Sequence, residues 1–131
     1  MPDREDLAAQ FARIARRLVA LEQPLLDENA LTMWEYAILV RLRAAPAETQ
    51  LQLAQNVRYD KTRLIALLDG LEQRGLIERE QAADDRRART VELTRKGRAK
   101  VDVTRRAIRR MEDQLLTPEQ RDKLQRLLDQ L

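Results

Sequence analysis

The chain has 131 residues, no Cys, no His and a formal net charge of +3. That length suffices for one hydrophobic core and is short for two, so a single domain is expected over residues 1–131. Without thiols or imidazoles, disulfides, thiolate nucleophiles, thiol redox chemistry and nearly every zinc or haem arrangement are excluded, and neither a metal nor a cofactor is expected.

No uncharged run approaches the roughly 18 to 20 residues needed to span a membrane, and no apolar leader precedes the first helix. A cytoplasmic protein with no membrane partner is the expectation. In chain order, Leu7, Phe11, Ile14, Leu18, Leu21 and Leu25 recur at steps of four and three, the period of one apolar helix stripe. Pro24 predicts a kink or an end near Glu22 or Gln23. So regular a stripe near the terminus has little of its own chain to cover it, which points to a second subunit; ordinary packing within the monomer is the plainer alternative.

"LTMWEYAILVRLRAAP" begins a second helix. Thr32 and Glu35 have the spacing of a capping box, Leu31 stands at the staple position, and Trp34, Ala37, Ile38, Val40 and Leu42 supply apolar positions. "TQLQLAQNV" reads as a short third helix with Leu51, Leu53, Ala54 and Val57. "RYDKTRLIALLDGLEQRG" reads as a fourth, with Asp60 as N-cap, a buried face of Leu64, Leu67, Leu68 and Leu71, and Gly75 as its stop. "LIERE" and "RTVELT" then alternate apolar and polar residues, the period of half-buried strands, with a charged loop between them. Thr94 starts a long helix lined by Val101, Ala107 or Ile108, Met111 and Leu115. In the last helix Thr117 caps, Pro118 takes the first position, Gln120 completes the box, and Leu124, Leu127, Leu128 and Leu131 form a stripe.

The fold class implied is mainly α with a small two- or three-stranded antiparallel wing, a winged helix-turn-helix. Residues 31–94 form its DNA-binding lobe, and 5–30 and 95–131 its dimerisation helices. An isologous homodimer with interlocked terminal helices is the simplest assembly.

Charge is unevenly spread. Eleven basic residues stand between Arg86 and Arg110 against two acids, Glu92 and Asp102, whereas none lies between Arg17 and Arg41. Such asymmetry suggests a surface facing a polyanion; a solvated helical face is the plainer reading. The second helix of a helix-turn-helix enters the major groove by its N-terminus, which singles out Arg58, Tyr59, Lys61, Thr62 and Arg63. Lys61 and Arg63 can donate to guanine O6 and N7, Thr62 can bond a base or a phosphate, and Arg58 suits a phosphate. Tyr59 is either a backbone contact or a cap over the core. Two cations at a helix N-terminus oppose the macrodipole, and an anionic partner would explain them. In "DDRRART", Arg86, Arg87 and Arg89 on a hairpin tip can reach the sugar-phosphate backbone or a narrow minor groove. One of the neighbouring carboxylates can hold a guanidinium in shape.

"LTMWEYAILVRL", "LDGLEQRGLIERE", "DDRRA" and "VELTRKGR" together resemble the MarR family (multiple-antibiotic-resistance regulators), in register from about Leu7 to Leu131. The family's "DxR" wing motif falls on Asp85, Arg86 and Arg87, so the resemblance makes Arg87 the minor-groove arginine and Asp85 its orienting partner. "LExxGLI" falls on Leu71, Glu72, Gly75, Leu76 and Ile77, and "LTxxG" on Leu93, Thr94 and Gly97. The resemblance implies a homodimer on pseudopalindromic double-stranded DNA, acting as a repressor and released by a small aromatic or phenolic effector. By the same analogy Phe11, Ile14, Trp34, Ile38 and Met111 line a ligand pocket, although lone aromatic residues more often belong to a core. Two features depart from the family. Ile65 and Ala66 stand where Ser or Thr and then Arg are common, which shifts base reading onto Lys61, Thr62, Arg63 and the wing, and the first helix lacks the cysteine of the peroxide-sensing branch.

The rival is a dimeric helical adaptor whose basic surface meets an acidic protein. An enzyme is not expected, because the acids are scattered and form no pair suited to general acid-base work.

Overall fold

The computed structural model describes residues 3–44, 47–82 and 85–131, with the side chains of 82–88 outside that description. The elements are α1 (Leu7–Glu28), α2 (Met33–Ala44), β1 (Glu48–Thr49), α3 (Gln50–Val57), α4 (Lys61–Gln73), β2 (Ile77–Ala82), β3 (Asp85–Leu93), α5 (Arg95–Asp113) and α6 (Pro118–Asp129). The strands form one antiparallel sheet in the order β1-β3-β2. The fold is thus a winged helix-turn-helix flanked by helices, as the sequence implies, with three strands rather than a bare hairpin.

Local chemistry accounts for the helix starts. Thr32 accepts from the Glu35 N–H at 3.2 Å while Glu35 accepts from the Thr32 N–H at 2.8 Å, and Thr117 and Gln120 form the same reciprocal pair. A third box joins Thr49 and Gln52, a Thr-x-x-Gln pattern hidden from the sequence reading because Thr49 was counted inside the helix. Asp60 caps α4 by accepting from the Arg63 N–H at 3.0 Å.

Three expectations need correction. Of the kink or end expected near Pro24, the end does not occur: helix α1 runs through Pro24 to Glu28. The proline is exposed, so the Ala20 carbonyl that it leaves unpaired faces water, and burial of Leu26 anchors the final turn. A fully buried leucine contributes about 1.5 to 3 kcal/mol, enough to offset most of the roughly 3 kcal/mol that an interior proline costs. Leu115 lies beyond the end of α5 and is exposed; the inward face is filled by Val101, Thr104 and Ile108. Thr104 is buried without penalty, because its hydroxyl donates to the Lys100 carbonyl at 2.7 Å. Finally, the charged stretch from Asp85 is strand rather than loop. The ladder shifts after the pair Gln81 and Arg89, where regular pairing would set Ala82 against residue 88, and Ala82 instead pairs with Asp85. Residues 86–88 take up the irregularity, so Arg86 and Arg87 follow the tip and do not form it.

The core sits under the winged lobe. Ile38 and Leu39 of α2, Leu53 of α3, Leu64, Leu68 and Leu71 of α4, Val91 of β3 and Val101 of α5 are fully buried. The stripe of α1 is largely uncovered, with Phe11 46% and Leu7 66% exposed, as is that of α6, where Leu127 is 53% exposed. Among the described residues, no helix is long and apolar enough to cross a membrane.

One junction ties the lobe to α5. Gly75, at φ +72, ends the α4 turn, and Leu76 leads into β2. The Thr94 hydroxyl donates to the Gly75 carbonyl at 2.6 Å, the Thr94 N–H to the Leu76 carbonyl at 3.1 Å, and the Lys96 ammonium to the Arg74 carbonyl at 3.0 Å. Gly97 lies so close that a Cβ there would stand 2.0 Å from the Leu76 carbonyl oxygen. Backbone would have to move to admit it. Gly97→Ala is therefore expected to lose at least about 2 kcal/mol in urea unfolding; a midpoint equal to that of the wild type would refute this reading of the junction.

Candidate nucleic-acid interface

The turn between α3 and α4 is made by a single left-handed residue, Arg58, at φ 53 and ψ 49. A non-glycine residue pays for that conformation with about 1 to 2 kcal/mol of steric strain. The turn delivers Tyr59, whose N–H donates to the Ala54 carbonyl at 3.1 Å, and then the Asp60 cap. Lys61, Thr62 and Arg63 follow as the first turn of α4, all exposed, with Arg58 exposed beside them. Among the described residues, none of these cations is in an ion pair. One cap carboxylate faces two uncompensated cations at the positive end of the helix.

The rest of α4 is treated differently. Leu64, Leu68 and Leu71 are buried, Ile65 is half-buried and Ala66 exposed, so the middle of the helix offers no polar group for base reading. The acids further along, Asp69 and Glu72, both meet Arg79 of β2, Glu72 at 2.8 Å. One guanidinium thereby offsets part of the charge of two carboxylates that stay partly exposed, and the free cations of α4 stand at its leading turn.

In the wing, Arg89 pairs with Gln81 in the ladder and is exposed. The backbone places Asp85, Arg86 and Arg87 at the start of β3, but their side chains lie outside the described residues.

Tyr59 is half-buried and packs on the core, its ring 4.4 Å from that of Trp34. This contact takes Trp34 toward the helix-turn-helix turn and away from the other residues expected to line a ligand pocket. Phe11 and Ile14 lie exposed on α1, and Ile38 is wholly buried inside the core. Met111 borders a groove of about 430 Å³ between α1 and α5 that Leu25, Ala107 and Arg110 also line. The five residues do not converge: Ile38 is buried in the core, while Trp34, one turn earlier on the same face of α2, stays partly exposed at the helix start against Tyr59.

A polar cluster that the sequence reading missed lies where α1, α2 and α5 meet. Burial pushes the Glu22 carboxyl up, with Glu112 adding to the shift. Burial also raises the Tyr36 hydroxyl, against the opposing effect of a hydrogen bond from Arg105. Both residues sit next to apolar stripe positions and carry no spacing signal of their own.

The Arg79 hydrogen bond holds the Glu72 carboxyl below the ordinary Glu range. A folded value below the unfolded one means stability that is present above the unfolded value and lost as pH falls through the folded value. Glu72→Gln is expected to unfold at lower urea concentration than wild type at pH 7, with the difference closing as pH is taken below the Glu range. A constant difference across that window would show that the charge on Glu72 is not what matters.

These features define a winged helix-turn-helix with a basic leading turn on its second helix. Residues 31–89, from the residue before the α2 cap into β3, match the model of the MarR family. The repressor CouR, solved on a 23-mer DNA duplex, is 29% identical, with a TM-score of 0.85 over 95% of this chain and 91% of that one. A probable transcriptional regulator from Pseudomonas aeruginosa is 28% identical, with a TM-score of 0.80 over 96% of each chain. The MepR-DNA complex of S. aureus shares the fold at 23% identity, with a TM-score of 0.79 over 97% of this chain and 96% of that one. The chain thus matches the MarR family over residues 31–89 and shares the fold of these winged helix regulators over nearly its whole length.

Proposed function

We propose that this protein is a homodimeric, sequence-specific double-stranded DNA-binding repressor that acts in the cytoplasm by binding and performs no catalysis. The single observation that carries the reading is the leading turn of α4, where Lys61, Thr62 and Arg63 stand exposed and uncompensated beside Arg58. A duplex supplies the missing anion. CouR, a relative of closely similar fold, is seen on DNA, which supports the same use of this surface here.

In the proposed complex, two copies of α4 enter successive major grooves about 34 to 36 Å apart on a pseudopalindromic operator. Lys61, Thr62 and Arg63 meet base edges or phosphates, Arg58 and Tyr59 the backbone, and Arg86, Arg87 and Arg89 the wing side. Arg87 enters the minor groove with Asp85 as its orienting partner. The exposed stripes of α1 and α6 favour a second copy as their cover, since each would otherwise present large apolar side chains to water. Release by a small aromatic or phenolic effector requires a ligand with different affinity for the DNA-competent and incompetent arrangements of the dimer. The α1–α5 groove bordered by Met111 has the size of a small-ligand site.

The test is fluorescence anisotropy of the purified protein on its own upstream intergenic DNA at about 0.15 M salt, against an unrelated duplex of equal length. A preference of about 10³-fold or more supports the reading, and Arg87→Ala should reduce it, most strongly where the flanks are A·T-rich. Equal, weak binding to both duplexes, together with capture of an acidic protein partner, would favour the adaptor instead. Truncation after Thr117 is expected to abolish the dimer and to weaken operator binding, measured by sedimentation and anisotropy; a soluble monomer with intact affinity would refute the assembly.

A further inference from the structure

Arg79 belongs to β2, yet only 5% of its side chain is exposed and its guanidinium reaches two other elements. It bonds Asp69 and Glu72, three residues apart on α4, and donates to the Gln50 side chain, at the first position of α3, at 3.1 Å. Among the described residues, its Nε is buried without a hydrogen-bond partner. As a source of stability this arrangement is poor, because desolvating a charge cluster costs about as much as it returns and an apolar side chain would serve as well. Both carboxylates meet Nη2 while Nη1 holds Gln50, so the rigid planar fork is fixed from α4 and α3 at once and supplies direction. It fixes the angle between the strand that leads into the wing and the helix whose leading turn faces DNA.

The lever is long enough for that angle to matter. From Arg79 to Ala82 at the end of β2 the chain rises about 10 Å, so an error of roughly 10° at the clamp displaces the wing by about 2 Å. Contacts of this kind need placement to about 0.5 Å.

We propose that Arg79 is a positioning residue that couples the wing to the recognition helix, so that major-groove and minor-groove contacts form as one unit. This rests on the DNA-binding reading given above. Without Arg79 the leading turn of α4 keeps its own residues, while the wing arginines lose their aim.

The experiment is a double-mutant cycle of Arg79→Met and Arg87→Ala, read as affinity for the duplex that the wild-type protein enriches from a random-sequence pool, with circular dichroism to confirm folding. Arg79→Met is expected to lower affinity about 10-fold or more in the Arg87 background and less than about 3-fold in the Arg87→Ala background, because a wing without its contact has nothing left to position. Arg79→Lys, which keeps the charge and loses the fork, should behave like Arg79→Met. Equal losses in both backgrounds, unchanged affinity, or full rescue by lysine would each overturn the proposal. If Arg79→Met does not fold, the Asp69→Asn, Glu72→Gln double variant removes the clamp from the α4 side and enters the same cycle with the same criteria. Failure of the wild type to enrich any duplex would overturn the DNA-binding reading and this inference with it, whereas strong enrichment with additive losses would overturn the inference alone.

Discussion

Close contact between α5 and the turn that follows α4 is the constraint on which the rest of the structure depends. Where the chain passes from Gly75 to Leu76, the carbonyls of residues 74, 75 and 76 are each claimed by Thr94 or Lys96, and Gly97 leaves no room for a side chain. Three elements meet there: the end of α4, the base of the wing and the start of the long helix that leads out of the lobe. A shift of α5 has to move backbone, not merely a flexible side chain. In a close-packed interior such a displacement is passed on and not absorbed. Any displacement of α5 therefore bears directly on α4 and β2.

Charge is distributed by the same economy. Helix α4 keeps its cations free at one end and has its acids taken up by Arg79 at the other. Pairing with Arg79 lowers the negative charge that the partly exposed Asp69 and Glu72 present beside the cations of the leading turn. A similar division runs across the molecule. The lobe carries the basic leading turn and the wing, while the exposed leucines gather on α1 and α6 at the other end of the chain's organisation.

Much of this was legible in the residues. The boxes at Thr32 and Thr117, the cap at Asp60 and the stop at Gly75 are local hydrogen-bond patterns spanning three to five residues, so spacing alone reveals them. Pro24 misled because a proline's effect depends on whether its turn is exposed and what anchors the residues beyond it, neither of which is local. The start of β3 misled for a related reason. A ladder can tolerate extra residues on one strand, and only the partner strand shows where they are placed.

By itself, then, the sequence determined the capped starts of α2, α4 and α6, the stop at Gly75, the alternating strands, the basic character of the α4 leading turn and the wing, and the motifs that resemble the MarR family, because each is written in short-range spacing. Only the tertiary structure decided that Arg79 joins β2 to α4, that Trp34 rests on Tyr59, that Ile38 faces the core, and that Gly97 is required by the Leu76 carbonyl. Those contacts join residues that are distant along the chain, and their geometry follows from how the elements pack, which no single segment encodes.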